Sequence, residues 1–180
     1  MAGERSMMLT IGHSTRTSDE LIRLLQARGV QRLVDVRTIP RSRYTPQFNL
    51  ETLPQSLAGA GIGYTHLKGL GGLRRPRADS INTVWRNASF RGYADYMQTP
   101  EFEAHLQTLL QLAGAERVAI MCAEAVPWRC HRSLIADALT ARRIAVSHIV
   151  NDQPHAPHTL TPFASVTDSH VTYPNPTAVC

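Results

Sequence analysis

Two rhythms of apolar residues alternate along this chain. Met8-Leu-Thr-Ile11 is a short apolar block that ends on Gly12-His13-Ser14. A bounded apolar run too short for a helix predicts a buried strand. Thr17 and Glu20 then stand at capping-box spacing, and Leu21, Ile22, Leu24 and Leu25 repeat at helical spacing before Gly29. Leu33 to Val36 predicts a second strand, Leu50 to Ala60 a weaker helix with Pro54 near its first turn, and Ile62 to Leu67 a third strand. Residues 68–90 carry Gly69, Gly71 and Gly72 and read as a long loop, which in a compact domain often serves a function.

The same alternation continues in the second half. Phe90 to Met97 predicts a short helix. Thr99 caps the next one, with Pro100 at its first position and Phe102, Leu106, Leu109 and Leu110 at helical spacing up to Gly114. Val118 to Met121 predicts a fourth strand, Ser133 to Arg143 a helix with Leu134, Ile135, Ala138 and Leu139 inward, and Ile144 to Val150 a fifth strand. Strands alternating with helices predict a three-layer α/β fold, a mainly parallel sheet with helices on both faces. Residues 1–150 form one such domain on this reading, and residues 151–180, rich in His, Pro and Thr, form a C-terminal tail packed on it.

In open parallel sheets ligands bind at the carboxyl ends of the strands, where strand order reverses. The polar residues of this chain fall there. The first strand delivers His13 and Ser14, the second Asp35 and Arg37, the third Tyr64 and His66, the fourth Cys122 and Glu124, and the fifth His148. The stretch from Val118 to Arg132 is the densest: an apolar strand, a loop with Glu124 and Pro127, then Cys130-His131-Arg132 opening a helix. A thiol at a helix N-terminus is stabilised as thiolate by backbone N–H groups, and Arg129 and Arg132 add positive charge. Cys130 is therefore the first candidate nucleophile and Cys122 the second. A redox pair of the two needs the loop between them to fold back.

Composition narrows the function without naming it. The 180 residues are 43% hydrophobic and 18% charged, with mean hydropathy −0.20, an ordinary globular balance. No apolar run approaches the roughly 18 residues of a spanning helix, and the first residues lack the apolar core of a signal peptide. A cytoplasmic protein with no membrane contact is expected. The net charge is +5 and only Lys68 of the 19 basic residues is lysine. A basic chain favours anionic partners, and Arg74-Arg75-Pro76-Arg77 sharpens that locally.

Several specific motifs are missing. Cys122, Cys130 and Cys180 form no CxxC pair, and the Cys and His positions show no recognised metal spacing, so no metal is expected. No GxGxxG or GxxxxGK[ST] names a cofactor. A phosphatase loop, Cys-x5-Arg, fails because its arginine position is Trp128, and the glycine-rich turn of a rhodanese-type loop is absent.

Thr10-Ile-Gly-His-Ser14, Asp35-Val-Arg37 with Pro40 and Ser42, Tyr64-x-His66, Leu70-Gly-Gly72, Phe90-Arg-Gly-Tyr93 and Met121-Cys-Ala-Glu124 with Cys130-His-Arg132 together resemble the bacterial family called domain of unknown function 488. The match runs from about Leu9 to Val150, and His158 to Ala164 and Thr172-Tyr-Pro174 resemble that family's tail. The resemblance implies a Rossmann-like α/β domain and carries over no catalytic residue.

The residues themselves lead to three functional expectations. The first is an enzyme acting on a phosphorylated or nucleotide-like ligand, or on a nucleic acid end. Cys130, Glu124, Asp35, His13 and His66 would be catalytic, and Ser14, Arg37, Tyr64, Cys122, His131 and Arg132 would hold the ligand. The second is a nucleic-acid-binding module using the arginine cluster with Trp85, Phe90 and Tyr93. The third is a metabolite sensor using the same rim. Tyr44, Phe48 and Tyr93 read as packing aromatics. Cofactor, substrate and oligomeric state stay open.

Overall fold

The computed structural model describes residues 7–176. Its core is a sheet in the order β3-β2-β4-β1-β5-β6. The strands are β1 (Met8–Gly12), β2 (Arg32–Asp35), β3 (Gly63–His66), β4 (Val118–Cys122), β5 (Val146–Ile149) and β6 (Ala156–Pro157). All pair in parallel except β6, which runs antiparallel to β5. The central strands β1 and β4 are buried at every position, as expected where helices cover both faces.

Alternation along the strands divides the core in two. Leu9, Ile11, Leu33, Ala119 and Met121 point to one face, where they meet Leu21, Leu24 and Leu25 of α1 (Ser18–Gln26) and Leu53 and Leu57 of α2 (Leu53–Gly59). Val34, Val36, Ile120 and Cys122 point to the other. They pack against α3 (Ala88–Tyr96), α4 (Pro100–Ala115) and α5 (Arg132–Ala141). This is a three-layer, Rossmann-like α/β fold. Helix starts follow the sequence signals: Thr17 Oγ1 accepts from the Glu20 N–H and Thr99 Oγ1 from the Phe102 N–H, each satisfying a first-turn donor.

The tail closes over α5 and β5. The carboxylate of Asp137, fully buried on α5, accepts from His158 Nε2 at 2.8 Å, from the Thr161 N–H at 3.0 Å and from the Tyr173 hydroxyl at 2.7 Å. His158 Nδ1 meets His148 Nε2 at 2.8 Å, and His148 Nδ1 lies 2.6 Å from Thr10 Oγ1 on β1. A polar chain therefore runs from the central strand to the tail. The tail also forms a hairpin of β7 (Ser165–Thr167) and β8 (His170–Thr172), with Val171 buried against the α3–α5 side. The sequence pattern did not predict β6, β7 or β8. These strands are two or three residues long and mostly exposed, so they carry no period to read.

Among the described residues no helix is long and apolar enough to cross a membrane. Cys180 lies outside the described residues.

Tyr173→Phe tests the tail network. Its loss leaves buried Asp137 one donor short, so urea unfolding should show a loss of about 1–2 kcal/mol with an unchanged slope. A change within about 0.5 kcal/mol would show that the tail is held by apolar contacts alone.

Candidate functional site

The chain leaves β1 toward α1 on one face of the sheet and leaves neighbouring β4 toward α5 on the other. The gap between the carboxyl ends of β1 and β4 is thus the switch point of the sheet. Here Gly12 is required. A Cβ on it would stand 1.6 Å from the carbonyl oxygen of Glu124, so only glycine lets the 123–125 loop cross the end of β1. The His13 N–H donates to Cys122 O at 3.0 Å and the Ser14 N–H to Ala123 O at 2.9 Å, tying the two strand ends together.

Folding back of the loop brings the two thiols together. Cys122 Sγ and Cys130 Sγ are 2.7 Å apart, one at the end of β4 and the other just before α5. The Arg132 N–H donates to Cys130 Sγ at 3.3 Å. The Arg132 side chain is fully buried; its Nη2 donates to Ala125 O at 3.4 Å, while Nε and Nη1 have no partner among the described residues. Hydrogen bonding from Cys130 pulls the Cys122 thiol below its ordinary value, and the Arg132 charge adds to this. Cys130, which holds the bridging proton and is buried, is pushed up. The two thiols therefore titrate as a pair, the first proton lost more easily than the second.

A cleft of about 340 Å³ is lined by both cysteines. Besides them, Arg37, Glu124 and His131 line it, with Ile39 and Leu73 as exposed apolar flanks. Leu73 holds a left-handed backbone (φ 57°), an uncommon conformation for a non-glycine residue. Larger cavities of about 470 Å³ lie elsewhere. One, beside Met8 and Arg142, has no thiol; the other, between Trp128 and Phe163, lies under the tail.

Behind the cleft, Asp35 organises a second network. Its fully buried carboxylate accepts from the Arg37 N–H at 3.0 Å, Arg37 Nε at 2.9 Å, Arg37 Nη2 at 2.6 Å and the Tyr64 hydroxyl at 2.6 Å. Burial first, then the Asp35 charge, raises the Tyr64 phenol, so it stays a donor. Arg37 Nη2 also donates to Phe48 O, and Nη1 to His13 Nε2 at 3.1 Å. His13 Nδ1 must then carry the proton it gives Ser14 O at 2.9 Å. Burial keeps this imidazole neutral, its pKa lowered to about 4. It stacks on Phe48 with ring centroids 4.5 Å apart.

The other imidazoles also brace backbone. His66 Nε2 donates to Arg37 O at 2.8 Å and His131 Nε2 to Val36 O at 3.0 Å. Burial lowers His131 to about 4. The structure thus places Cys122, Glu124, Cys130, His131 and Arg37 at the cleft, with Arg132 within electrostatic reach of both thiols. Asp35, His13, Tyr64 and His66 stand behind Arg37 as its support. Ser14, with a left-handed backbone (φ 48°), shapes the loop and does not line the cleft.

Two aromatic expectations change. Tyr44 is 85% exposed with Arg43 over its ring, so it is not a packing residue; it follows Arg43 in a turn-rich segment that turns outward. Trp85, Phe90 and Tyr93 join the α3–α5 core, where Trp85 stacks on Phe90, and do not form an exposed stacking platform. Sequence reasoning missed Thr38, Gly72 and Leu73 as cleft walls, because only the packed loops bring them beside Cys130. It also missed Asp137, which stood among the apolar residues of a helix.

The family model described as domain of unknown function DUF488 matches residues 17–139. The chain belongs to this family. That span holds both thiols, Arg132 and the Asp35–Arg37–Tyr64 network, while His13 and the tail lie outside it. No curated protein and no solved structure matches the chain.

The neutral imidazoles make stability depend on pH. His13 and His131 titrate near 4 and His148 near 3 when folded, each lowered by burial, against about 6.5 unfolded. Below about 6.5 the unfolded chain binds protons that the folded chain does not. Their contribution is therefore full above pH 6.5 and falls as pH drops toward 4, by up to about 1.4 kcal/mol per pH unit for each histidine. Urea midpoints measured from pH 7.5 to 4.5 should decline in step; a flat profile would mean these imidazoles accept protons in the folded state.

Proposed function

We propose that the cleft at the carboxyl edge of the sheet is the active site of an enzyme acting through a Cys122–Cys130 thiolate on a small anionic ligand, phosphorylated or nucleotide-like. The observation that carries this is the thiol pair beside Arg132. A buried guanidinium with two unpartnered groups is costly unless a negative charge stands near it. A thiolate shared by the pair supplies that charge, and a thiolate is the form of cysteine that attacks.

Roles follow from position. The Cys122 sulfur is the nucleophile, and Cys130 donates the hydrogen bond that holds it ionised. Glu124, exposed at the cleft, is the general acid or base. The first turn of α5 and the one Nη1 hydrogen left on Arg37 receive the anionic part of the ligand. Asp35, His13 and His66 position Arg37 and the strand-end backbone. Arg37 is so fully engaged by Asp35, Phe48 and His13 that a bidentate clamp on the ligand is not part of this reading.

Ligand binding tests it. Inorganic phosphate, mononucleotides, dinucleotides and short oligonucleotides would be screened by thermal shift at two salt concentrations, with iodoacetamide labelling of Cys122 and Cys130 followed in parallel. A ligand at a hundred times its Kd should stabilise by about 2.7 kcal/mol. Phosphate or a mononucleotide should both stabilise the protein and slow labelling. Stabilisation by oligonucleotides alone, weakened by salt and without protection of either thiol, would replace this reading with nucleic-acid binding.

A further inference from the structure

We infer that Cys122 and Cys130 form a reversible dithiol–disulfide couple that exchanges with small disulfides and thiols bound in the cleft. This deepens the active-site reading above and rests on the same cleft. Two free, buried cysteines eight positions apart in sequence have been brought sulfur to sulfur by the folded loop. At 2.7 Å, closing to the roughly 2.05 Å of a disulfide needs a displacement well under that of a side-chain rotation. A dithiol held in this way closes internally faster than a second molecule from solution can react.

The surroundings favour a labile bond over a structural one. Arg132 is buried close to the pair, its backbone N–H donating to Cys130 Sγ, and its charge favours the reduced, ionised form. Stabilising the reduced form makes the disulfide more oxidising and easily reopened. Both cysteines line the cleft, which is the route by which an exchange partner reaches them. Its apolar flanks, Ile39 and Leu73, and the Nη1 hydrogen left on Arg37 suit a small disulfide that carries a carboxylate, such as a peptide disulfide.

The chemistry balances within these groups. The Cys122 thiolate attacks one sulfur of a substrate R–S–S–R, forming a Cys122–S–S–R bond and expelling RS⁻. Cys130 gives its proton to Glu124 or water. Its sulfur then attacks Cys122 Sγ, breaking the mixed disulfide and releasing the second RS⁻. The substrate gains two electrons and leaves as two thiols, and the protein closes the Cys122–Cys130 bond.

The test uses full-length protein with Cys180→Ser, so that only the pair reacts. It is incubated with glutathione disulfide, quenched, alkylated and weighed by intact mass spectrometry, with peptide mapping without reductant. The expected product has lost both reactive thiols, carries no glutathione and yields a crosslinked peptide joining Cys122 to Cys130. Dithiothreitol should restore both thiols. Adding Cys130→Ser should halt the reaction with one glutathione attached to Cys122. Protein that ends with glutathione on one cysteine while the other stays free, in the chain retaining both, would overturn the couple. That result needs no Ser variant at the pair and so does not depend on such a variant folding. The two readings can fail separately. Absence of closure with anion protection of labelling intact removes the couple and leaves the thiolate enzyme. Closure without any anion protection removes the anionic-ligand reading and leaves the couple.

Discussion

A positive charge buried without full pairing sets the terms for this structure. Arg132 enters α5 with its side chain wholly inside the protein, and among the described residues only Ala125 O pairs with its guanidinium. Leaving such a group in an apolar interior costs several kcal/mol unless an opposite charge compensates. The thiol pair is the compensation we propose, because the Arg132 charge favours the ionised form of both sulfurs. The same charge helps to keep His131 and His148 neutral, although burial is the larger cause for each. On the proposed reading, one ionisation at the cysteines relieves the guanidinium and makes a nucleophile in the cleft.

The rest of the scaffold holds that arrangement in place. Gly12 lets the cysteine loop cross β1, and backbone hydrogen bonds from His13 and Ser14 fix its start. On the opposite side of the sheet edge, Asp35 immobilises Arg37 with three bonds, and Tyr64 and His13 complete the shell. Three imidazoles, those of His13, His66 and His131, donate to carbonyl oxygens, so each has its N–H satisfied. The tail adds a second polar chain, from Thr10 through His148 and His158 to Asp137, beneath the helix that carries Arg132.

The α/β architecture was legible because its signals are local. Thr17, Thr99 and Pro100 mark helix starts, and the runs at Met8 and Val118 are bounded and apolar. The strand ends were legible for the same reason, since a parallel sheet puts the residues after each strand on one edge. What the sequence did not show was how those residues are spent. Arg37 and Arg132 were equivalent as free cations in the chain, yet one is clasped by Asp35 and the other is buried among thiols. Cys122 and Cys130 were two separate candidates until the loop between them closed. His13 and His66 carried the look of acid–base groups, and their pairing with the Ser14 and Arg37 carbonyls was not readable from the chain. Each of these outcomes is set by non-local packing, which no periodicity encodes.

The central claim is that one of the paired thiols is ionised at neutral pH. The most direct measurement is the ultraviolet absorbance of thiolate as a function of pH, on protein with Cys180→Ser and again with Cys122→Ser added. The account predicts one thiolate equivalent that persists well below the ordinary thiol range and disappears when Cys122 is replaced, with the second proton leaving only at high pH. Two thiols titrating together at ordinary values would contradict it.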